Sequence, residues 1–145
     1  MYLISACLLG ENCKYNGGNN RCQWVVDFAE THSYFSICPE TRAGLPSPRP
    51  PAEIRGDQVV DREGKDLTEA FINGARDAFE DGQKAAQEAG EFIEGAILKA
   101  KSPSCGCENI YDGTFTKKLV KGDGHLARLV KEKGIMVITE KENIL

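Results

Sequence analysis

With 145 residues, of which 41% are hydrophobic and 28% charged, the chain has the size and balance of one soluble domain, residues 1–145, around a single core. A net charge of −4 and the lack of a basic stripe exclude non-specific binding to duplex nucleic acid. No apolar run nears the ~20 residues that span a bilayer, and Met1–Ile4 has neither a basic leader nor a cleavage pattern, so a cytoplasmic location is expected.

Tyr2–Leu9 is short, apolar and bounded by Gly10, and reads as a buried strand. The Asn/Gly-rich stretch 11–20 is a loop, and Arg21–Thr31 carries Trp24, Val25, Phe28 and Ala29 at helical spacing. Tyr34–Ile37 is a second strand, which Pro39 ends. Four of the six prolines fall within 41–52, which predicts a stiff wall and not a flexible linker. Ile54–Val60 and the turn after it predict a β-hairpin arm. Asp66 to Ala89 is the longest helical pattern, capped by Asp66 or Thr68 and ended by Gly90. Gly95–Lys101 is a third strand, 102–116 a polar loop, Gly124–Lys133 a last helix, and Ile135–Thr139 a fourth strand. Alternating strands and helices predict an α/β fold: a mostly parallel, open sheet of about four strands with flanking helices, in Rossmann-like order. No phosphate-binding glycine loop, dinucleotide fingerprint or nucleophile elbow accompanies it.

Three of the six cysteines, Cys7, Cys38 and Cys105, follow three of these apolar runs. If the runs are neighbouring parallel strands, the thiols meet at the sheet edge where open α/β sheets place their chemistry. In a reducing compartment, clustered cysteine points to metal binding or catalysis and not to disulfides. Three thiolates without a clear fourth suit a metal or iron–sulfur centre with one open position. In Cys38-Pro39-Glu40, residues two apart at a strand end point the same way, so Glu40 can face what Cys38 holds and move a proton there. Ser102-Pro103-Ser104-Cys105-Gly106-Cys107 can aim hydroxyls and N–H groups at one point. Sequence alone does not select Cys105 over Cys107.

Cys13 and Cys22 read as small semi-buried residues. His32 and His125 lack metal-type spacing, and His125 reads as a capping residue after Gly122-Asp123-Gly124. Arg42, Arg49, Lys99, Lys101, Lys117 and Lys118 lie near these segments and allow a local basic rim, against which stands the commoner reading of solvated surface charge. Two further functions use the same thiols: a non-enzymatic domain binding zinc or a small ligand, and a thiol-redox protein using Cys105 and Cys107, for which one intervening residue is poor spacing.

Six ordered segments carry a resemblance over nearly the whole chain: Ile4–Gly10 (ISACLLG) with Lys14–Gly18 (KYNGG), Cys38-Pro39-Glu40, Gly44–Arg49 (GLPSPR), Leu98–Gly106 (LKAKSPSCG), Ile110–Phe115 (IYDGTF) and Gly122-Asp123-Gly124. They resemble the thiouracil desulfidase (TudS-like) family, long carried as a domain of unknown function. The resemblance implies a 4Fe–4S cluster held by Cys7, Cys38 and Cys105, with the fourth iron open and labile in air. It implies an enzyme that replaces the thiocarbonyl sulfur of a thiolated pyrimidine (thiouracil or a thiouridine derivative) with oxygen from water, releasing hydrosulfide. Glu40 and Ser102 match positions linked to acid/base and substrate-orienting roles, and Tyr15, Asn16, Ser104, Tyr111, Asp112 and Asp123 are the expected substrate contacts. Cys13 stands where relatives often carry an apolar residue and is not counted as a ligand. Ala43 replaces a common glycine with little expected effect, and Cys107 is an extra thiol, either spectator or sulfur acceptor. Without the second domain fused to relatives that act on transfer RNA, a base, nucleoside or nucleotide is favoured over tRNA.

Overall fold

The computed structural model describes residues 1–145. Four strands form one parallel sheet: β1 (Tyr2–Ser5), β2 (Tyr34–Ile37), β5 (Gly95–Leu98) and β8 (Met136–Thr139). Their order is β2-β1-β5-β8. The register aligns Ser5 with Ile37 and Ile4 with Ile97, so the ends of β1, β2 and β5 lie side by side. Three of the thiol-bearing turns therefore leave one edge of the sheet together, as the sequence predicts.

Side chains alternate between the two faces. Leu3, Ala96 and Leu98 pack on Ala75, Ala78 and Phe79 of α3 (Thr68–Glu88) and on Leu126 and Val130 of α4 (His125–Glu132). Ile4 and Ile97 face Val25 and Phe28 of α1 (Gln23–Thr31). Each such side chain, fully buried, contributes about 1.5–3 kcal/mol relative to exposure. No helix is long and apolar enough to cross a membrane.

The first strand is shorter than its apolar run. Ser5 ends it, and Ala6–Leu9 forms a 3-10 turn closed by Gly10 in the left-handed region (φ +98°). This early break rolls Cys7 off the strand line. After β2, Pro39 sits in the first turn of the four-residue helix α2 (Pro39–Arg42), where its missing N–H costs nothing. The arm is a hairpin of β3 (Ala52–Arg55) and β4 (Gln58–Asp61). At the start of α3 the Asp66 carboxylate accepts the N–H and hydroxyl of Thr68, as expected, although the N-cap position itself is Leu67. The polar loop after β5 contains a strand that its composition hides: β6 (Asn109–Tyr111) pairs antiparallel with β7 (Leu119–Lys121).

Candidate active site

One cavity of about 330 Å³ opens at the sheet edge. Cys7, Cys13, Cys38 and Cys105 all line it, and none of them is in a disulfide. Each arrives by a different local device. Cys7 sits in the 3-10 turn. Cys38 precedes α2 as its N-cap, with Thr41 of that helix near its sulfur. Cys105 is held by Ser102, whose Oγ accepts the N–H groups of Ser104 and Cys105, both at 3.1 Å.

The thiols sense one another. The Cys13 thiol lies against both Cys7 and Cys38 and donates to them, which pulls both below the ordinary thiol value and drives Cys13 above it. Burial pushes Cys105 up, and negative charge on Cys7, Cys38 or Glu40 would push it further. That mutual sensitivity reflects convergence on one space. No three His, Cys, Asp or Glu side chains form a ready-made donor set for a single ion. Thiols spread around a cavity suit a larger, multi-iron group.

Glu40 projects into the same cavity from α2. Its Oε2 accepts from the Ser104 hydroxyl at 2.8 Å, and its Oε1 accepts from Arg49 Nε at 3.2 Å and is ion-paired with Arg49 Nη2 at 3.1 Å. Arg49 is delivered by the proline-rich segment, which also contributes Pro51 to the lining. The segment walls the cavity there, and its Ser47-Pro48 peptide is cis. Opposite lie Tyr111, Phe115, Arg62 and Lys117. Phe115 adopts φ +60° and Lys117 φ +65°, conformations that side chains larger than glycine rarely take. Strand β3 grips this loop: the buried Glu53 carboxylate accepts the N–H groups of Gly113 and Phe115 (3.0 and 3.1 Å), and Arg55 donates twice to the Gly113 carbonyl.

Of the residues singled out by sequence, Cys7, Cys38, Cys105, Glu40, Ser102, Ser104, Tyr15 and Tyr111 line the cavity. Asn16, Asp112 and Asp123 are not among its lining residues. Asn16 accepts the Gly18 N–H, Asp112 accepts from the N–H and hydroxyl of Thr114, and Asp123 joins the Glu108 N–H to Lys131. Their side chains shape turns. Cys107 turns away toward the Val137 carbonyl of β8 and does not face Cys105's cavity. Cys22 packs in the apolar cluster under α1. Lys99 pairs with Glu140 (3.0 Å) and Arg42 with Asp81 (2.6 Å), so neither is a free charge. Arg49 and Glu53 are the site residues that sequence reasoning under-read. A charged residue isolated among prolines was the available signal for the first; Glu53 carried none.

The model of the 2-thiouracil desulfurase family matches residues 2–142. The chain belongs to that family. Among solved structures, a [4Fe-4S]-dependent thiouracil desulfidase, TudS, superposes with a TM-score of 0.83 at 37% identity, covering 97% of this chain and 90% of that one. The uncharacterized protein YbbK of Bacillus subtilis (strain 168) is also 37% identical, over 98% of this chain and 97% of its own length. Within the 2-thiouracil desulfurase fold, the cavity described above is the place where strand-end thiols, a clamped carboxylate and an aromatic wall coincide.

Proposed function

We propose that this family member is an enzyme that removes sulfur from thiolated pyrimidines, using a 4Fe–4S cluster held by Cys7, Cys38 and Cys105. The observation that carries the reading is the convergence of these three thiols with Glu40 on one cavity. The net reaction replaces C=S by C=O with water as the oxygen source and hydrosulfide as the product. It requires no net electron transfer. Residues 1–145 act as one unit, and a base, nucleoside or nucleotide is the substrate favoured over tRNA.

When bound, the cluster supplies an open, thiophilic iron that polarises a thiocarbonyl as a Lewis acid. The protein's own residues do the rest. Ser102 spends its oxygen on two N–H groups, which leaves its hydroxyl hydrogen to donate to a substrate atom. Glu40, held at both oxygens, takes the proton from the attacking water. Tyr15, Ser104 and Tyr111 line the space around the ring. The aromatic wall excludes bulk water, which strengthens each polar contact within.

The test is anaerobic reconstitution followed by iron and acid-labile sulfide analysis. About four of each per chain are expected. Cys7→Ser, Cys38→Ser and Cys105→Ser should each lose the colour, and Glu40→Gln should keep the iron while losing turnover of 2-thiouracil. Oxygen-18 from labelled water should appear in the product. A chain that takes up no iron, or an active Glu40→Gln, would refute the cofactor or the base respectively.

A further inference from the structure

Arg49 is charged yet its side chain is only 7% exposed, and it bridges three segments of the site. Its Nε donates to Glu40 Oε1, with Nη2 paired to the same oxygen at 3.1 Å, its Nη1 donates to the Pro46 carbonyl at 3.0 Å, and its Nη2 to the Cys13 carbonyl at 2.9 Å. Its backbone N–H donates to the Tyr15 carbonyl at 2.6 Å. The guanidinium thus ties the Glu40 carboxylate to the loop that carries Cys13 and Tyr15, and the proline-rich segment fixes its own backbone.

We propose that Arg49 is the positioning residue for Glu40: it fixes the rotamer of the carboxylate and makes α2 and the 13–15 loop move as one body around the thiols. This rests on the reading of Glu40 as the proton acceptor. With Oε1 taken by Arg49 and Oε2 by Ser104, the carboxylate cannot swing. Only its remaining lone pairs face the cavity, and those define where a water must sit to be deprotonated. Lysine is a poor substitute. A single ammonium cannot serve acceptors on three divergent segments, whereas the planar five-donor fork can. Position matters in catalysis because small misplacements of a reacting group cost rate without costing binding.

Six variants decide the matter: Glu40→Gln, Arg49→Gln, Arg49→Lys and Arg49→Ala, with the doubles Glu40→Gln/Arg49→Gln and Glu40→Gln/Arg49→Ala. Each is reconstituted anaerobically and assayed on 2-thiouracil. Expected for Arg49→Gln and Arg49→Lys are an unchanged iron and sulfide content, a KM within about threefold, and a kcat lower by about ten- to hundredfold. Removing Arg49 from Glu40→Gln should lower kcat no further, since residues acting as a unit are not additive. Free guanidinium should restore part of the kcat of Arg49→Ala and none of that of the Glu40→Gln/Arg49→Ala double. Thermal unfolding of the unloaded proteins supplies a readout independent of turnover: the Glu40 and Arg49 substitutions should be non-additive there too. Loss of iron in both Arg49→Gln and Arg49→Lys, an additive cycle, or a kcat drop of equal size in both backgrounds would overturn the proposal and leave Arg49 a structural residue. An active Glu40→Gln would instead sink the reading of Glu40 as the base, with the unfolding cycle still reporting whether the pair is coupled, so the two failures are distinct.

Discussion

Gly74 lies in the middle of α3, where replacing glycine by alanine ordinarily stabilises a helix by about 1 kcal/mol. Here the sign should reverse. A Cβ at Gly74 would stand 2.9 Å from the Ala43 Cβ and 3.2 Å from the Pro39 carbonyl carbon, and closer still to the Pro39 carbonyl oxygen. The obstacle is the backbone of α2, the turn that carries Cys38 and Glu40, and not a flexible side-chain end. Restoring contacts of ~3.5–4 Å requires α2 to retreat by roughly 1 Å. Overpacking of this kind costs about 1–3 kcal/mol; against a backbone carbonyl that cannot turn aside the upper end applies, and it outweighs the helix-propensity gain of about 1 kcal/mol. Gly74→Ala should therefore lower stability by about 2 kcal/mol, a fall in Tm of about 4–8 °C for a chain of this size. Thermal unfolding by circular dichroism of the unloaded protein measures it, with iron uptake as the second readout, since a displaced α2 moves Cys38 away from Cys7. Gly82→Ala is the comparison: its Cβ would meet the Leu3 Cδ2 at 2.6 Å, a side-chain end that can turn, so its cost should be smaller. A Gly74→Ala protein with a Tm equal to or above that of the parent would refute the close-packing argument.

Further outcomes concern the wall, a histidine and the fourth thiol. Glu53→Ala strips two N–H groups in the Gly113–Phe115 turn of their acceptor. It should cost about 2–4 kcal/mol in denaturant unfolding and raise the KM for 2-thiouracil more than it lowers kcat. Burial, with Arg128 adding to it, holds His125 below its ordinary 6.5. The folded state thus resists protonation more than the unfolded chain, and the stability His125 supports above pH 6.5 is lost as pH falls through its depressed value. His125→Gln should flatten that part of the acid limb in a pH series of unfolding midpoints. Cys13→Ala should retain about four irons per chain after reconstitution, against loss in the Cys7, Cys38 and Cys105 variants; an equal loss in Cys13→Ala would make Cys13 a ligand.

The parallel sheet is legible in the sequence because strands buried on both faces read as continuous apolar runs. Tyr34–Ile37 is found to the residue, and the convergence of Cys7, Cys38 and Cys105 follows once β1, β2 and β5 are neighbours. Other features leave no apolar period. The 3-10 turn at Ala6–Leu9 shares the hydrophobicity of β1, so the expected strand runs four residues too long. Strands β6 and β7 are three residues each, and every residue of β7 is exposed, so no alternation marks them. The polar partners are harder still. Asn16, Asp112 and Asp123 have the side chains of binding residues, yet asparagine and aspartate serve turns equally well, and which use prevails depends on where the backbone points. Arg49 reads as one more surface cation because Glu40 and Cys13, which it joins, lie in segments the sequence does not place beside it.

The sheet order also sets a timetable. Strand β1 pairs with the next strand, β2, on one side, but on the other its partner β5 begins only at Gly95. Pairing β1 with β5 closes a loop of most of the chain, a high-contact-order step that slows folding. During synthesis Cys7 and Cys38 emerge early, while Cys105 follows only after α3 and β5 have left the ribosome. A group held by Cys7, Cys38 and Cys105 together would meet its full set of thiols only once β5 lies beside β1, so closure of that distant pair and assembly of the site would be one event.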